Sequence, residues 1–395
     1  MQNIEPSDQE NVMRPETVGG FWDVSFMRRK GGEHLTDQDY MRRAIELAKQ
    51  GLGYTNPNPM VGAVIVKDDK IIGEGYHARC GGLHAERSAL EALTESAEGA
   101  TIYVTLEPCC HFGKQPPCTQ AILDHKIKRV VIGSRDPNPL VAGKGVTYLR
   151  EAGVIVEEDV LREECDALNP VFFHYITKKT PYVVLKYAMT ADGKIATRTG
   201  ASKWITGEAA RNRVQHMRHR YMGIMAGIGT VLADDPMLNV RIEGLKSPIR
   251  IICDSGLRIP LESQIVQTAK EYQTIVAYAQ GDPKKQQQLI AKGIQLEQVE
   301  AADGQLDLRQ LMVRLGELGI DSVLVEGGGT LNDSLVRAGL VDQMEVFVAP
   351  KIFGGSAAKT PVEGVGIETP AEAVQFHLTG TEPIGDDVLL CYMRG

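Results

Sequence analysis

Two consecutive α/β domains are predicted, on three observations. Strand-like and helix-like runs alternate from residue 36 to the end of the sequence, the pattern of a layered α/β architecture. A basic, polar stretch, "TKKTP", interrupts the alternation near residue 180 and precedes a fresh β-rich run. The length of 395 residues accommodates two or three domains of about 100–200 residues each. The expected organisation is a mobile N-terminal tail over 1–35, where no periodicity is visible, a first domain over 36–178 and a second over 181–395.

The first helix is expected at "TDQDYMRRAIELAKQG". Thr36 can cap it, with Asp39 three residues on completing a capping box. Met41, Ala44, Ile45 and Ala48 make one apolar face, and Gly51 stops the helix. "MVGAVIV" and "IIGEGYH" flank the polar "KDDK", which reads as a hairpin. Then come a helix at "HAERSALEALTESA", a strand at "TIYVTL", a short helix at "TQAILDH", a buried strand at "RVVIG", and "GVTYLREAGVIV", a helix running into a strand. In the second half, strands are expected at "YVVLKYAMT", "YMGIMAG", "IRIICDS", "TIVAYA", "DSVLVEG", "DQMEVFVAP" and "DVLLCYM". Helices are expected there at "GEAARNRVQHMRHR", "DLRQLMVRLGELG" and "TLNDSLVRAG".

Composition narrows the function classes. Apolar residues make up 43% and charged residues 24%, an ordinary globular balance. The net charge of -8 and the lack of a basic stripe with interleaved aromatics argue against a nucleic-acid partner. An anionic ligand would need a local cluster of cations. No run reaches the ~18 apolar residues of a membrane span, and "MQNIEPSDQENVMRPETVGG" lacks the basic start and apolar middle of a signal peptide. Seven scattered cysteines, an odd number, point to a reducing cytoplasm rather than a disulfide framework.

The stretch "VTLEPCCHFGKQPPC" concentrates Cys109, Cys110 and Cys118 around His111. Upstream, "LHAERSAL" places His84 and Glu86 at the start of a helix. One imidazole with two thiolates is a three-ligand catalytic zinc set, which leaves a fourth tetrahedral position for water. The zinc-deaminase signature is His-x-Glu followed by Pro-Cys-x-x-Cys. Here eight residues, not two, separate Cys109 from Cys118. Prolines 57 and 59 in "TNPNPM" hold a loop that can present Asn58, whose amide matches a donor–acceptor pair on a pyrimidine edge.

His-Ala-Glu joined to the wide Pro-Cys … Pro-Pro-Cys spacing resembles the deaminase half of the bifunctional deaminase/reductase family of riboflavin biosynthesis. The resemblance extends over most of residues 36–395, since "LKYAMTADGKIA", "SKWIT" and "GIGTVLADDPMLNVR" occur in the order found in the family's reductase half. It implies a cytidine-deaminase-like three-layer domain followed by a dihydrofolate-reductase-like domain. It also implies His84, Cys109 and Cys118 as ligands of one zinc per chain and Glu86 as the proton shuttle. Cys110 is then left out. A zinc-activated hydroxide would deaminate 2,5-diamino-6-(5-phosphoribosylamino)pyrimidin-4(3H)-one, with Asn58, His77 and Lys114 contacting this small-molecule substrate.

In the second domain "DSVLVEGGGTLNDSLVRAG" brings a strand end at Glu326, three glycines and a helix start together. Such a turn admits an anion close to the backbone, though it is not the Gly-x-Gly-x-x-Gly fingerprint. The resemblance implies NADPH as hydride donor for reducing the ribosyl group to ribityl. It places cofactor contacts on Ala188, Trp204, Thr230, Asp234, Ser255, Gly328, Gly329, Thr330, Leu331, Asn332, Asp333 and Ser334. It places substrate contacts on Ser202, Arg218, Leu238, Arg241 and Glu326. Arg218 and Arg241 are expected to fork onto the substrate phosphate, and Asp192 to form a turn. No residue of this half stands out as a strong acid or base. A homo-oligomer through the reductase domain is a further expectation from the family. The alternative is a nucleoside or nucleic-acid zinc deaminase with an appended binding module.

Overall fold

The computed structural model describes residues 34–111, 116–138, 141–302 and 304–395. The expected tail, apart from residues 34 and 35, and Lys114 lie outside the described residues. The first sheet has five strands, β1 (Gly62–Lys67), β2 (Lys70–Tyr76), β3 (Thr101–Leu106), β4 (Arg129–Ser134) and β5 (Ile155–Glu157). Their spatial order is β2-β1-β3-β4-β5. β1 is antiparallel to both β2 and β3, whereas β3, β4 and β5 run parallel. The β1–β2 turn is Asp68–Asp69, with φ of 48° and 58°, the left-handed pair a tight two-residue hairpin requires.

Three layers result. Helix α1 (Asp37–Lys49) buries Met41, Ala44, Ile45 and Ala48 as expected. It lies so close to the sheet that a Cβ on Gly62 would meet the Ala44 carbonyl oxygen at 1.9 Å. On the opposite face, α2 (Ala85–Glu91), α3 (Cys118–Asp124) and α4 (Lys144–Glu151) share a core of Ala63, Ile65, Ile102, Val104, Ala89, Ile122 and Leu149. α2 is shorter than the run "HAERSALEALTESA" implies, because the Thr94 N–H is drawn to the Ile72 carbonyl of β2 at 2.9 Å. Two helices then follow, α5 (Arg162–Asp166) and α6 (Pro170–Lys178).

The second sheet has nine strands. Seven run parallel: β6 (Tyr182–Thr190), β7 (Gly223–Gly227), β8 (Ile249–Cys253), β9 (Thr274–Tyr278), β10 (Ile294–Gln298), β13 (Ser322–Val325) and β14 (Gln343–Ala349). β15 (Phe376–Ile384) and β16 (Asp387–Arg394) close one edge antiparallel, and the order is β10-β9-β8-β7-β13-β6-β14-β16-β15. Short strands β11 (Ala301–Ala302) and β12 (Gln305–Leu306) pair only with each other. The helices are α7 (Glu208–Arg220), α8 (Ile228–Asp234), α9 (Gln264–Gln267), α10 (Pro283–Ala291), α11 (Leu308–Glu317) and α12 (Gly329–Arg337). β15 was not foreseen because Gly380 and Pro383 interrupt its pattern, which only an edge strand tolerates. α10 was missed because its sequence, PKKQQQLIA, is polar over its first two turns and buries only Leu289, so no apolar stripe repeats.

Residues 37–395 pack as one unit. The expected boundary between 178 and 181 falls in the connection from α6 to β6. α6 packs on both cores, Phe172 and Phe173 on the first and Val171 on the second. Three hydrogen bonds pin the loop before β1 to the second half. Tyr54 Oη donates to the Gly244 carbonyl at 2.9 Å, Asn56 Nδ2 to Asp321 Oδ2 at 2.8 Å, and His219 Nε2 to the Leu52 carbonyl at 3.1 Å. The His219 tautomer follows from Nδ1, which accepts the Lys246 N–H at 2.9 Å.

Candidate active sites

His84 stands at the N-cap of α2 and Glu86 in its first turn. Cys118 opens α3, and Cys109 lies against the start of that helix, its Sγ accepting the Cys118 N–H at 3.4 Å. The His84 Nδ1 is 3.6 Å from Cys109 Sγ and 3.4 Å from Cys118 Sγ. All three donor atoms lie within 4.8 Å of one another. A tetrahedral zinc with bonds of ~2.3 Å to sulfur and ~2.0 Å to nitrogen holds such donors about 3.5 Å apart, so this donor set fits zinc. Neither Cys110 nor His111 belongs to the group.

Charge is distributed accordingly. Hydrogen bonding from Cys118 and then from His84 holds the Cys109 thiol well below its ordinary range. The same pairing, with burial, pushes Cys118 up. Glu86 is 4% exposed, and burial together with the neighbouring Cys109 pushes its carboxyl up to about 7. A carboxyl poised near neutrality is suited to both accept and return a proton.

Asn58 and His77 adjoin this centre. His77 Nδ1 donates to the Leu83 carbonyl at 2.8 Å, which leaves Nε2 to accept from Asn58 Nδ2 at 3.2 Å. The His77 and His84 rings stand edge to face, 5.7 Å apart. One residue missed by sequence reasoning is Glu107, directly before Pro108-Cys109. It is 4% exposed and accepts the N–H groups of Gly143 at 3.0 Å and Gly145 at 3.1 Å. It thereby ties the start of α4 to the chain entering the Cys109 loop. Its only sequence signal was a carboxylate ending an apolar strand.

In the second half a cavity of about 800 Å³ opens at the C-terminal ends of β6, β7, β8 and β13, where open parallel sheets place ligands. Ala188, Ser202, Trp204, Thr230, Asp234, Leu238, Arg241 and Ser255 line it. So do Arg218, Glu326, Gly328, Gly329, Thr330, Leu331 and Ser334. Asn332 and Asp333 do not. Asn332 is fully buried and donates to the Pro361 carbonyl at 2.8 Å, while Asp333 pairs with Arg337 at 2.8 Å. Trp204 is 58% exposed rather than core, with the Arg211 guanidinium 4.9 Å from its ring centre. Asp192 lies in the expected turn, which the Gly193 N–H closes on the Thr190 carbonyl at 2.9 Å, and its carboxylate accepts the Gly354 N–H at 2.7 Å.

Arg218 lines the cavity and is paired within it. Its Nε and Nη2 donate to Glu326, at 2.7 and 3.1 Å, and Nη1 donates to the Asn239 carbonyl at 2.9 Å. Lys186, which the sequence did not single out, completes the group 3.6 Å from Glu326. Burial pushes Glu326 up, but Arg218 and Lys186 outweigh it and hold its carboxyl at about 2. Lys186 is itself pulled below the ordinary lysine range, by burial. The cue for Lys186 was a lone charge inside the apolar run "VVLKYAM". The cavity suits a nicotinamide cofactor: Gly327, Gly328 and Gly329 line it at the start of α12. A Cβ on Gly327 would sit 3.0 Å from the Leu331 side chain, and its absence lets a pyrophosphate approach the backbone N–H groups.

Comparison with known proteins identifies both halves. Residues 35–134 match the cytidine and deoxycytidylate deaminase zinc-binding region, and residues 181–390 match the RibD C-terminal domain. The riboflavin biosynthesis protein RibD of Actinobacillus pleuropneumoniae is 57% identical over 91% of this chain and 96% of its own length. The protein of that name from Aquifex aeolicus is 43% identical over 91% and 98%. Among solved structures, Acinetobacter baumannii RibD superposes with a TM-score of 0.83 at 40% identity, over 91% of this chain and 99% of that one. A diaminohydroxyphosphoribosylaminopyrimidine deaminase/5-amino-6-(5-phosphoribosylamino)uracil reductase from Thermotoga maritima gives 0.81 at 39% identity, over 91% and 99%. These relatives span both halves, so the alternative of a nucleic-acid deaminase with an appended binding module is set aside. With zinc serving its first half and NADPH its second, the chain belongs to the RibD family of bifunctional riboflavin-biosynthesis deaminase/reductases.

Proposed function

We propose that the first domain, with Glu86 as proton shuttle, deaminates 2,5-diamino-6-(5-phosphoribosylamino)pyrimidin-4(3H)-one, and that the second reduces the ribosyl group of the product to ribityl. The observation that carries this reading is the convergence of His84, Cys109 and Cys118 beside the buried Glu86 carboxyl. When bound there, zinc supplies a water that ionises near neutral pH. Glu86 would carry the two protons of the attacking water in turn, the first to the ring nitrogen and the second to the amine that leaves as ammonia. Asn58 donates one N–H to His77 and so keeps its carbonyl and second N–H for the pyrimidine edge. Burial pushes His77 down, so it stays neutral and keeps Nε2 as an acceptor.

In the second domain NADPH supplies the hydride. Opening the ribose ring needs a proton on the ring oxygen, and Lys186 with Glu326 is a buried pair able to give and take it. Arg218 holds Glu326 in place. Arg241, whose side chain is exposed on the cavity wall, offers a cation to the substrate phosphate. Its main chain is anchored by donation from its N–H to Gln215 Oε1 at 2.9 Å.

The reading extends to a cytoplasmic homo-oligomer. None of the seven cysteines is in a disulfide, which suits a reducing compartment. No helix among the described residues is long and apolar enough to cross a membrane. Edge strand β15 presents Leu378 at 56% exposure, a strand edge that a second copy would cover, and light scattering tests that assembly. The activity is tested by supplying the diaminopyrimidine ribose phosphate to zinc-loaded protein with and without NADPH. Ammonia should appear without NADPH, and nicotinamide absorbance should fall only after deaminated product has formed. Absorbance loss on the undeaminated substrate at an equal rate would refute the order of the two steps.

A further inference from the structure

Eight residues separate Cys109 from Cys118, against two in the usual zinc-deaminase signature. A longer loop costs more conformational entropy to close, so its two thiols need restraint beyond the metal itself. Part of that restraint comes from Cys109. The Cys118 N–H donates to Cys109 Sγ at 3.4 Å and the Thr119 N–H to the Cys109 carbonyl at 3.2 Å, so Cys109 caps the first turn of α3. Neither bond reaches α2, which carries Glu86 in its first turn and His84 at its N-cap.

Arg87 supplies that link. It follows Glu86 on α2 and is half-buried. Its Nε donates to the Pro116 carbonyl at 3.2 Å, and its Nη2 to the Pro117 carbonyl at 3.1 Å. Pro117 is the N-cap of α3, directly before Cys118, with φ of -54° and ψ of 141°. Consecutive residues of α2 thus divide the work: Glu86 is buried beside the metal donors, and Arg87 holds the chain that delivers one of them.

The residue types suit this grip. Prolines have no N–H, so carbonyls are the polar backbone groups that Pro116 and Pro117 can offer. The Pro117 carbonyl also accepts the Ala121 N–H, at 3.4 Å, and a carbonyl oxygen has a second lone pair for the guanidinium. A guanidinium presents its N–H groups in a fixed planar fork, here spread over two consecutive carbonyls. Ring-locked φ angles leave little slack between those carbonyls and Cys118. The start of α3 is therefore held from two sides, by Cys109 at its N–H groups and by Arg87 at the carbonyls before it. Between these holds Cys118 Sγ comes to 3.4 Å from His84 Nδ1.

We propose that Arg87 is a positioning residue of the deaminase, which locks α2 to the start of α3 and so fixes Cys118 against His84 and Glu86. The proposal rests on the zinc-deaminase reading of the first domain. The test compares the full chain with its Arg87→Met and Arg87→Lys variants. Zinc affinity and release are read against a chelating dye, and donor geometry by the visible absorbance of cobalt-loaded protein. Arg87→Met should bind zinc about 10- to 100-fold more weakly, the scale of losing an outer partner of a metal ligand, and should shift the cobalt bands. Arg87→Lys, able to hold one carbonyl, should fall between. Reduction of supplied deaminated product should stay at the wild-type rate, and the metal-free protein should melt within about 2 °C of wild type. Unchanged zinc affinity and cobalt bands in Arg87→Met overturn the proposal. So does weaker zinc binding that comes with an equal loss of reductase activity and a much lower metal-free melting temperature, the mark of general unfolding. If Arg87→Met does not fold, Arg87→Lys decides, and wild-type zinc release from it overturns the proposal. A wild-type chain that binds no zinc overturns the metal reading of the site and this proposal with it.

Discussion

The two sites of this chain are built in opposite ways. The deaminase centre takes its metal donors from His84, Cys109 and Cys118, the first residues of two helices and the loop between them, on one face of one sheet. The reductase cavity gathers Lys186 from β6, Arg218 from α7, Arg241 from a loop and Glu326 from the end of β13. Proton chemistry differs in parallel. The first site has a carboxyl held near neutrality by burial and a neighbouring thiolate. The second has a carboxylate kept ionised by two cations. A soft metal needs a few scarce donor types at fixed spacing, whereas positioning a dinucleotide against a sugar needs many common residues spread over a sheet edge.

That contrast can be broken in several ways. Glu86→Gln should lower deamination by about 10²–10⁴-fold while zinc content, read by elemental analysis, stays at one per chain. Reduction of supplied deaminated product should be untouched, and a parallel loss there would show that the two sites are not separable. Cys109→Ser should lose zinc and with it the deaminase, whereas Cys110→Ser should keep both. Zinc loss from Cys110→Ser would place that thiol among the ligands.

Lys186→Met should cost the reductase about 10²-fold in kcat and spare the deaminase. Its pH profile sharpens the point. Lys186 must be protonated to donate, and its pKa is lowered by burial. Reductase activity should therefore be full on the acid side and fall, as pH rises, earlier than an ordinary lysine would allow. An alkaline limb that persists unchanged in Lys186→Met belongs to another group.

The smallest effect is expected where the halves meet. His219 is lowered by burial, so the folded chain holds it neutral. Its contribution to stability is complete above the unfolded value of about 6.5 and is lost as pH falls through the folded value. His219→Ala should cost about 1–2 kcal/mol at neutral pH. It should also flatten the decline of melting temperature on acidification, and an unflattened decline would assign that transition elsewhere.

Legibility followed the same contrast. Periodicity showed α1 because a polar outer face and a buried stripe repeat cleanly. The β1–β2 hairpin was equally plain, since two apolar runs enclose a short charged turn. β15 and α10 were invisible, one interrupted by Gly380 and Pro383 and the other without a repeating apolar stripe. At the sites, residue type drew the eye to His84, Glu86 and the Cys109, Cys110 and Cys118 cluster, and the resemblance to the family chose among the thiols. Lys186 and Glu107 could not, because a single charge in an apolar strand reveals nothing until its partner is known. Arg218 was noticed for its charge, but its pairing with Glu326, 108 positions away, was not legible.

Residue chemistry along the chain was enough to establish the layered α/β class, the zinc donor types and the glycine turn at the mouth of a nucleotide cavity, because short spacings restrict which groups can meet. Folding settled the rest. Packing of β13 beside β6 brought Glu326 to Lys186, and α7 delivered Arg218 to the same carboxylate. Burial then selected the charge each group carries. Desolvation and Coulomb attraction depend on distances in space, and those distances exist only once remote segments have been brought together.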